Sequence, residues 1–214
     1  MDSQALAYIA EWTQSNDTNI LSVAGPHLEG YELEDHMTLL AAKFIAFATE
    51  SKVPVISYFC ELRRREDLIS DNDMEMQAFL QMVYGLIRQM IELVLPELQT
   101  CKDFSIGRFS RIDGTAQTWD DAMAIFDDVQ EHLPGKVFCI INGCQWLDSR
   151  STARSFTQFV ELLRRSKLKV LLTTAGESGS LTPNLSRQEL LVLNRPSRGA
   201  GMVSGMFEEA VLTL

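Results

Sequence analysis

Two glycines five residues apart, Gly25 and Gly30, bracket the stretch Gly25-Pro26-His27-Leu28-Glu29-Gly30-Tyr31-Glu32. Their spacing is that of GxxxxGK(S/T), in which backbone amides cradle phosphates, a lysine neutralises them and a hydroxyl residue holds magnesium. Here the lysine position is Tyr31 and the hydroxyl position is Glu32. A magnesium site of this kind also draws on an aspartate at the end of a second strand. The apolar run 137–141 ends instead in Asn142, an uncharged amide. A further apolar run ends in Thr173-Thr174, whose hydroxyls could sense a terminal phosphate or cap the next turn. Asp148, six residues beyond Asn142, is the nearest carboxylate that could substitute for the missing charge.

Electrostatics argue against a phosphate at this loop. An unscreened carboxylate about 4 Å from a phosphate charge costs roughly 4 kcal/mol at an effective dielectric near 20. That is on the order of a thousandfold in affinity. Glu29, Glu34 and Asp35 add to the repulsion from Glu32. Carboxylates beside a helix N-terminus also have a structural use, because they satisfy free amides and the helix dipole. Other chemistry is poorly supported. His27, His36 and His132 lie in separate segments, and no His/Cys/Asp group has metal-ligand spacing. No GxSxG elbow occurs. Cys60, Cys101, Cys139 and Cys144 form no CxxC pair and are expected as reduced, mainly buried thiols.

The glycine pair gains meaning from the elements around it. Apolar runs at 20–24, 53–60, 137–141, 169–174 and 189–193 predict five strands. Helical periodicity predicts helices over 3–14, 32–50, 74–95, 118–133 and 151–166, with Pro96 ending the third. The Met-rich stripe Met76, Phe79, Leu80, Val83, Leu86, Ile87, Met90, Ile91 and Val94 reads as core, and 99–117 as loop. Short strands separated by helices predict an α/β fold: a five-stranded, mainly parallel sheet with helices on both faces. In such a sheet ligands bind outside the carboxyl ends of the strands, where Gly25, Asn142 and Thr173-Thr174 would meet.

The chain has 214 residues, 46% of them apolar and 22% charged, with a formal net charge of −10. That charge disfavours nucleic acid and anionic membrane surfaces as partners. The basic clusters Arg63-Arg64-Arg65 and Arg164-Arg165 have acidic neighbours and read as solvated surface. The stretch 79–95 is broken by Gln81, Arg88, Gln89 and Glu92, so it is expected to be a buried helix and not a membrane span. No secretory signal is read at the N-terminus, and a cytoplasmic location is expected. The organisation expected is a leading helix and linker over 1–17, a main domain over 18–195 and a tail over 196–214.

The stretches ILSVAGPHLEG, VPVISYFCELRRRE, FLQMVYGLIRQMIELVLPEL, VFCIINGCQWLD and LKVLLTTAGESGSL follow one another through residues 18–195. Together they resemble the NTPase domain of fungal NACHT-like signal-transducing (STAND) P-loop ATPases. The resemblance implies a phosphate loop at Gly25 and Gly30, with Tyr31 and Glu32 replacing its lysine and hydroxyl residue. It implies that Asn142 replaces the Walker B aspartate and that the strand ending in Thr173 and Thr174 is the sensor strand. Loss of all three side chains together points to a pseudo-NTPase kept as an interaction or regulatory module, with a protein partner and no bound cofactor. Two alternatives stand beside it. One is a residual ATP or GTP binder using the loop backbone, Thr173 or Thr174, and an arginine such as Arg187, Arg195 or Arg198. The other is a doubly wound enzyme with a different small-molecule ligand.

Overall fold

The computed structural model describes residues 3–26, 36–60, 71–94 and 100–193. Helix α1 (Ser3–Gln14) leads into strand β1 (Ile20–Gly25), and α2 (His36–Glu50) precedes β2 (Val55–Phe59). Then come α3 (Asp71–Leu93), the single turn α4 (Ile106–Phe109) and α5 (Trp119–Gln130). Strand β3 (Val137–Asn142), helix α6 (Ala153–Arg165), β4 (Leu168–Ala175) and β5 (Leu190–Val192) complete the described elements. All five expected strands are present. The sheet runs β2-β3-β4-β1-β5, and every strand pair is parallel.

The chain leaves β1 for the far edge at β2, then returns through β3 and β4. Parallel crossovers are right-handed, so this reversal of direction sends the connecting helices to opposite faces. The side chains record the division. Leu21, Val23, Phe138, Ile140 and Leu171 pack with Ile9 and Trp12 of α1 and with Met37, Leu40 and Phe44 of α2. Their strand neighbours Ile20, Cys139, Ile141, Val170 and Leu172 point the other way, against α3, α5 and α6. Both faces of β1 and β3 are buried throughout, which is why those strands read as continuous apolar runs.

Several boundaries and roles differ from the sequence reading. Helix α3 starts at Asp71, three residues earlier than its periodicity suggests. Its core stripe includes Met82, 1% exposed, whereas Ile91 is 44% exposed. The expected loop 99–117 contains α4, capped by Ser105, whose side chain accepts a hydrogen bond from the Arg108 amide. Lys102 and Arg108 anchor this segment on Asp128 of α5, at 2.5 and 2.6 Å. Burial alone would push the Asp128 carboxyl up, but these two cations outweigh it and hold it below the usual range. Arg164 is no plain solvated charge, because its guanidinium makes two 2.8 Å bonds to Glu189, which is buried. That pair fastens the end of α6 to the start of β5. Arg63-Arg64-Arg65 and the 196–214 tail lie outside the described residues.

Lys169 is the second buried charge. It sits on the α1 side of β4, 4% exposed, and donates to the carbonyls of Ser15 (2.6 Å) and Thr18 (2.7 Å). Its ammonium also lies 4.8 Å from the Trp12 ring centroid. Burial first, and then the nearby Lys136 ammonium, depress its pKa to about 8, with Asp17 opposing. A lysine whose folded pKa lies below its unfolded value adds stability above the unfolded pKa and loses it as pH falls through the folded one. We expect urea midpoints of the wild type to rise between pH 8 and 10.5 relative to Lys169→Met. A wild-type curve parallel to that of the variant would contradict the depressed pKa.

Candidate functional site

The carboxyl ends of β1, β3 and β4 meet at one edge, where register places Asn142 beside Thr173 and Gly25 beside Ala175. A ligand crevice is expected at this edge, because the connection after β1 leaves in one direction and that after β4 in the other. Gly25 ends β1 under the first turn of α2. A Cβ there would meet Cγ and Sδ of Met37 at 2.7 and 2.9 Å, so the glycine lets the helix start close to the strand. Its carbonyl accepts from the Gly176 amide at 2.9 Å, which joins the loops after β1 and β4. Gly30, Tyr31 and Glu32, together with His27, Glu29, Glu34 and Asp35, lie outside the described residues.

Asn142 is the centre of the described site. Its Oδ1 accepts from the Thr173 hydroxyl at 2.7 Å, and its Nδ2 donates to Thr38 Oγ1 at 2.9 Å. Thr173 is fully buried and Asn142 is 6% exposed. The amide therefore ties the ends of β3 and β4 to the start of α2, with both of its polar atoms engaged. Thr174 donates to the Gly176 carbonyl at 2.7 Å and so caps the turn that follows its strand. Thr38 was not singled out in the sequence. Its only signal is a lone hydroxyl between the apolar Met37 and Leu39 in the first turn of α2.

Gly143 follows Asn142 with φ of 82° and donates its amide to the Thr173 carbonyl at 2.8 Å. The left-handed backbone turns the chain into a 3-10 turn, Cys144–Leu147. On this turn Trp146 is 48% exposed at the edge of the site. Asp148 accepts from the hydroxyls of Ser178 (2.9 Å) and Ser180. It anchors the loop after β4, and a Cβ added at Gly179 would stand 3.6 Å from its carboxylate, ordinary contact distance. The sequence GESGS held this signal as two serines one residue apart around a glycine. Cys60, Cys139 and Cys144 are buried free thiols, and Cys101 is an exposed one. A hydrogen bond to Cys144, and then burial, push the Cys60 thiol far up. Arg187 is exposed, and Arg195 and Arg198 lie outside the described residues. His132 bridges the Asp128 carbonyl and Thr100 at 2.8 and 2.9 Å, a packing role.

A magnesium ion held in the usual phosphate-loop manner needs a carboxylate whose oxygens face its water shell. Asn142 offers a neutral amide whose oxygen already accepts from Thr173 and whose nitrogen donates to Thr38, so it brings no negative charge to such a shell and does not fit that role. Among the described residues no group of three His, Cys, Asp or Glu side chains could hold a metal ion. Nor is any described helix long and apolar enough to cross a membrane.

No protein-family profile matches the chain, and no characterised protein matches it in sequence. Solved structures do resemble its fold. A Walker-type ATPase of Pyrococcus abyssi is 14% identical over 81% of this chain, with a TM-score of 0.46. The ORC1 protein of Aeropyrum pernix, solved in complex with DNA, is 13% identical over 91%, also at 0.46. Drosophila ORC bound to AT-rich DNA and Cdc6 is 8% identical over 89%, at 0.43. This chain spans 45%, 44% and 55% of those chains, about half of each.

Proposed function

We propose that this chain is a P-loop-type α/β module that does not hydrolyse nucleotides and serves as an interaction or regulatory unit. The observation that carries the proposal is Asn142. At the strand end where hydrolysis needs a magnesium-holding aspartate, this chain has an uncharged side chain bonded to Thr173 and Thr38. The replacement of the loop lysine by Tyr31 and of its hydroxyl residue by Glu32 supports the same reading. Descent from a NACHT-like STAND ATPase is the finer form of this proposal and rests on the five sequence stretches quoted above.

The direct test is phosphate release from ATP and GTP with magnesium. We expect no turnover above the enzyme-free rate. Turnover that copurifies with the protein and disappears in Asn142→Leu would overturn the proposal, because it would make Asn142 part of a working site.

A further inference from the structure

The sheet has two edges, β2 and β5. An edge strand presents a row of N–H and C=O groups that can template another strand. β5 blunts its edge by spanning only three residues, Leu190–Val192. β2 is longer and reads Val55-Ile56-Ser57-Tyr58-Phe59, β-branched or aromatic at every position but the serine. Neither a proline nor a charge interrupts it, so the sequence devices that discourage edge pairing are missing from the strand itself.

The ladder to β3 fixes which groups of β2 face outward. The Phe138 amide donates to the Pro54 carbonyl and the Cys60 amide to the Asn142 carbonyl. Pro54, Ile56, Tyr58 and Cys60 therefore turn their backbone polar groups toward β3, and Val55, Ser57 and Phe59 turn theirs to the outer edge. Gln89, a half-buried residue of α3, reaches that edge. Its Oε1 accepts from the Ser57 amide and its Nε2 donates to the Ser57 carbonyl, both at 2.9 Å. Nε2 also donates to the Gly85 carbonyl at 3.1 Å, one turn back on α3, which holds the carboxamide in place. Gly85 itself lets α3 come this close, since a Cβ there would meet the Tyr58 ring at 3.0 Å.

A glutamine carboxamide carries the donor and acceptor of a peptide unit side by side. Facing residues of two antiparallel strands exchange the same two bonds, each amide donating to the other's carbonyl. We propose that Gln89 is an edge guard: its carboxamide occupies the place of an incoming strand at Ser57 and keeps a second copy of this chain from adding its own β2 there. The pairing it prevents is two-fold symmetric, with Ser57 facing Ser57, because an edge presented by both copies is self-complementary in that arrangement. Val55 of each copy would then face Phe59 of the other, and Phe59, 37% exposed, would be covered.

The test compares the full chain with Gln89→Leu, which keeps the helix and most of the bulk but removes both bonds to Ser57. In sedimentation runs from about 10 µM towards 1 mM, the range in which unpaired strand edges associate, the variant should approach twice the wild-type mass. Hydrogen exchange at Ser57 locates the contact. In the wild type this amide should be protected at every concentration. In Gln89→Leu it should exchange at least about tenfold faster when dilute and regain protection as the chains associate. Gln89→Glu is the control, because it keeps an acceptor for the Ser57 amide and adds an edge charge that opposes pairing, so its mass should match the wild type. Should Gln89→Leu not fold, Gln89→Met removes the same bonds with a flexible side chain. A wild-type Ser57 amide that exchanges like an open one overturns the proposal without any variant. A folded Gln89→Leu or Gln89→Met with wild-type mass throughout, faster Ser57 exchange that no concentration reverses, or equal association by Gln89→Glu overturns it as well.

Discussion

Phe79→Ala is expected to remove about 3–5 kcal/mol of stability, the range for truncating a large aromatic side chain in a packed core. Phe79 is fully buried on α3. Its ring centroid lies 4.7 Å from Phe156, 4.9 Å from Trp119 and 5.5 Å from Phe159. Those partners come from α5 and α6, so one ring joins the three helices that cover this face of the sheet. Truncation leaves a cavity that three separate helices cannot jointly close, and it forfeits three tilted or edge-on aromatic contacts. For a domain of this size the melting temperature should fall by roughly 6–20 °C. Ile91→Ala on the exposed side of the same helix is the control and should stay within about 1 kcal/mol. Similar losses for the two variants in denaturant titrations would contradict this assignment of the core.

Gly143→Val is expected to be nearly as damaging and acts at the candidate site. At φ of 82° an L side chain is strained by about 1–2 kcal/mol before any contact is considered. A Cβ would lie 2.8 Å from the Cys60 carbonyl oxygen and 3.0 Å from Trp146 Cδ1. The first is backbone, held by the Cys60 amide donating to the Asn142 carbonyl, so it has little freedom to withdraw. The total should reach about 3 kcal/mol, within the range for special backbone positions. Because Gly143 also donates to the Thr173 carbonyl, the same change should loosen the link between Asn142 and Thr173. Hydrogen exchange at the ends of β3 and β4 is the readout. An unchanged melting temperature, or unchanged protection of those amides, would contradict the account of this turn.

The strands were legible in sequence because a sheet covered on both faces makes each strand a short apolar run. β1 and β3 are buried from end to end, and their limits differ from the sequence reading by one residue. Strand order was not legible, since nothing local says that β1 returns to lie between β4 and β5. The role of Asn142 was half legible. Its residue type signalled a missing charge. Its bonds to Thr173 and Thr38 depend on parallel register and on helix placement, both set by contacts distant in sequence. The same limit hid the Arg164–Glu189 pair, whose members are 25 residues apart. Periodicity also missed α4, because four residues are too few to show a helical repeat.

The central claim is that the carboxyl edge, with Asn142 bonded internally, is not a working nucleotide site. A thermal-shift titration with ATP, ADP, GTP and GDP, with and without magnesium, tests it most directly. Saturation at about 100 times Kd adds roughly 2.7 kcal/mol of stability. For a domain of this size that is a rise in Tm of about 5–11 °C. We predict no shift with any of the four at millimolar concentration. A magnesium-dependent rise of that size with any of them would contradict the claim and make the chain a nucleotide-binding protein.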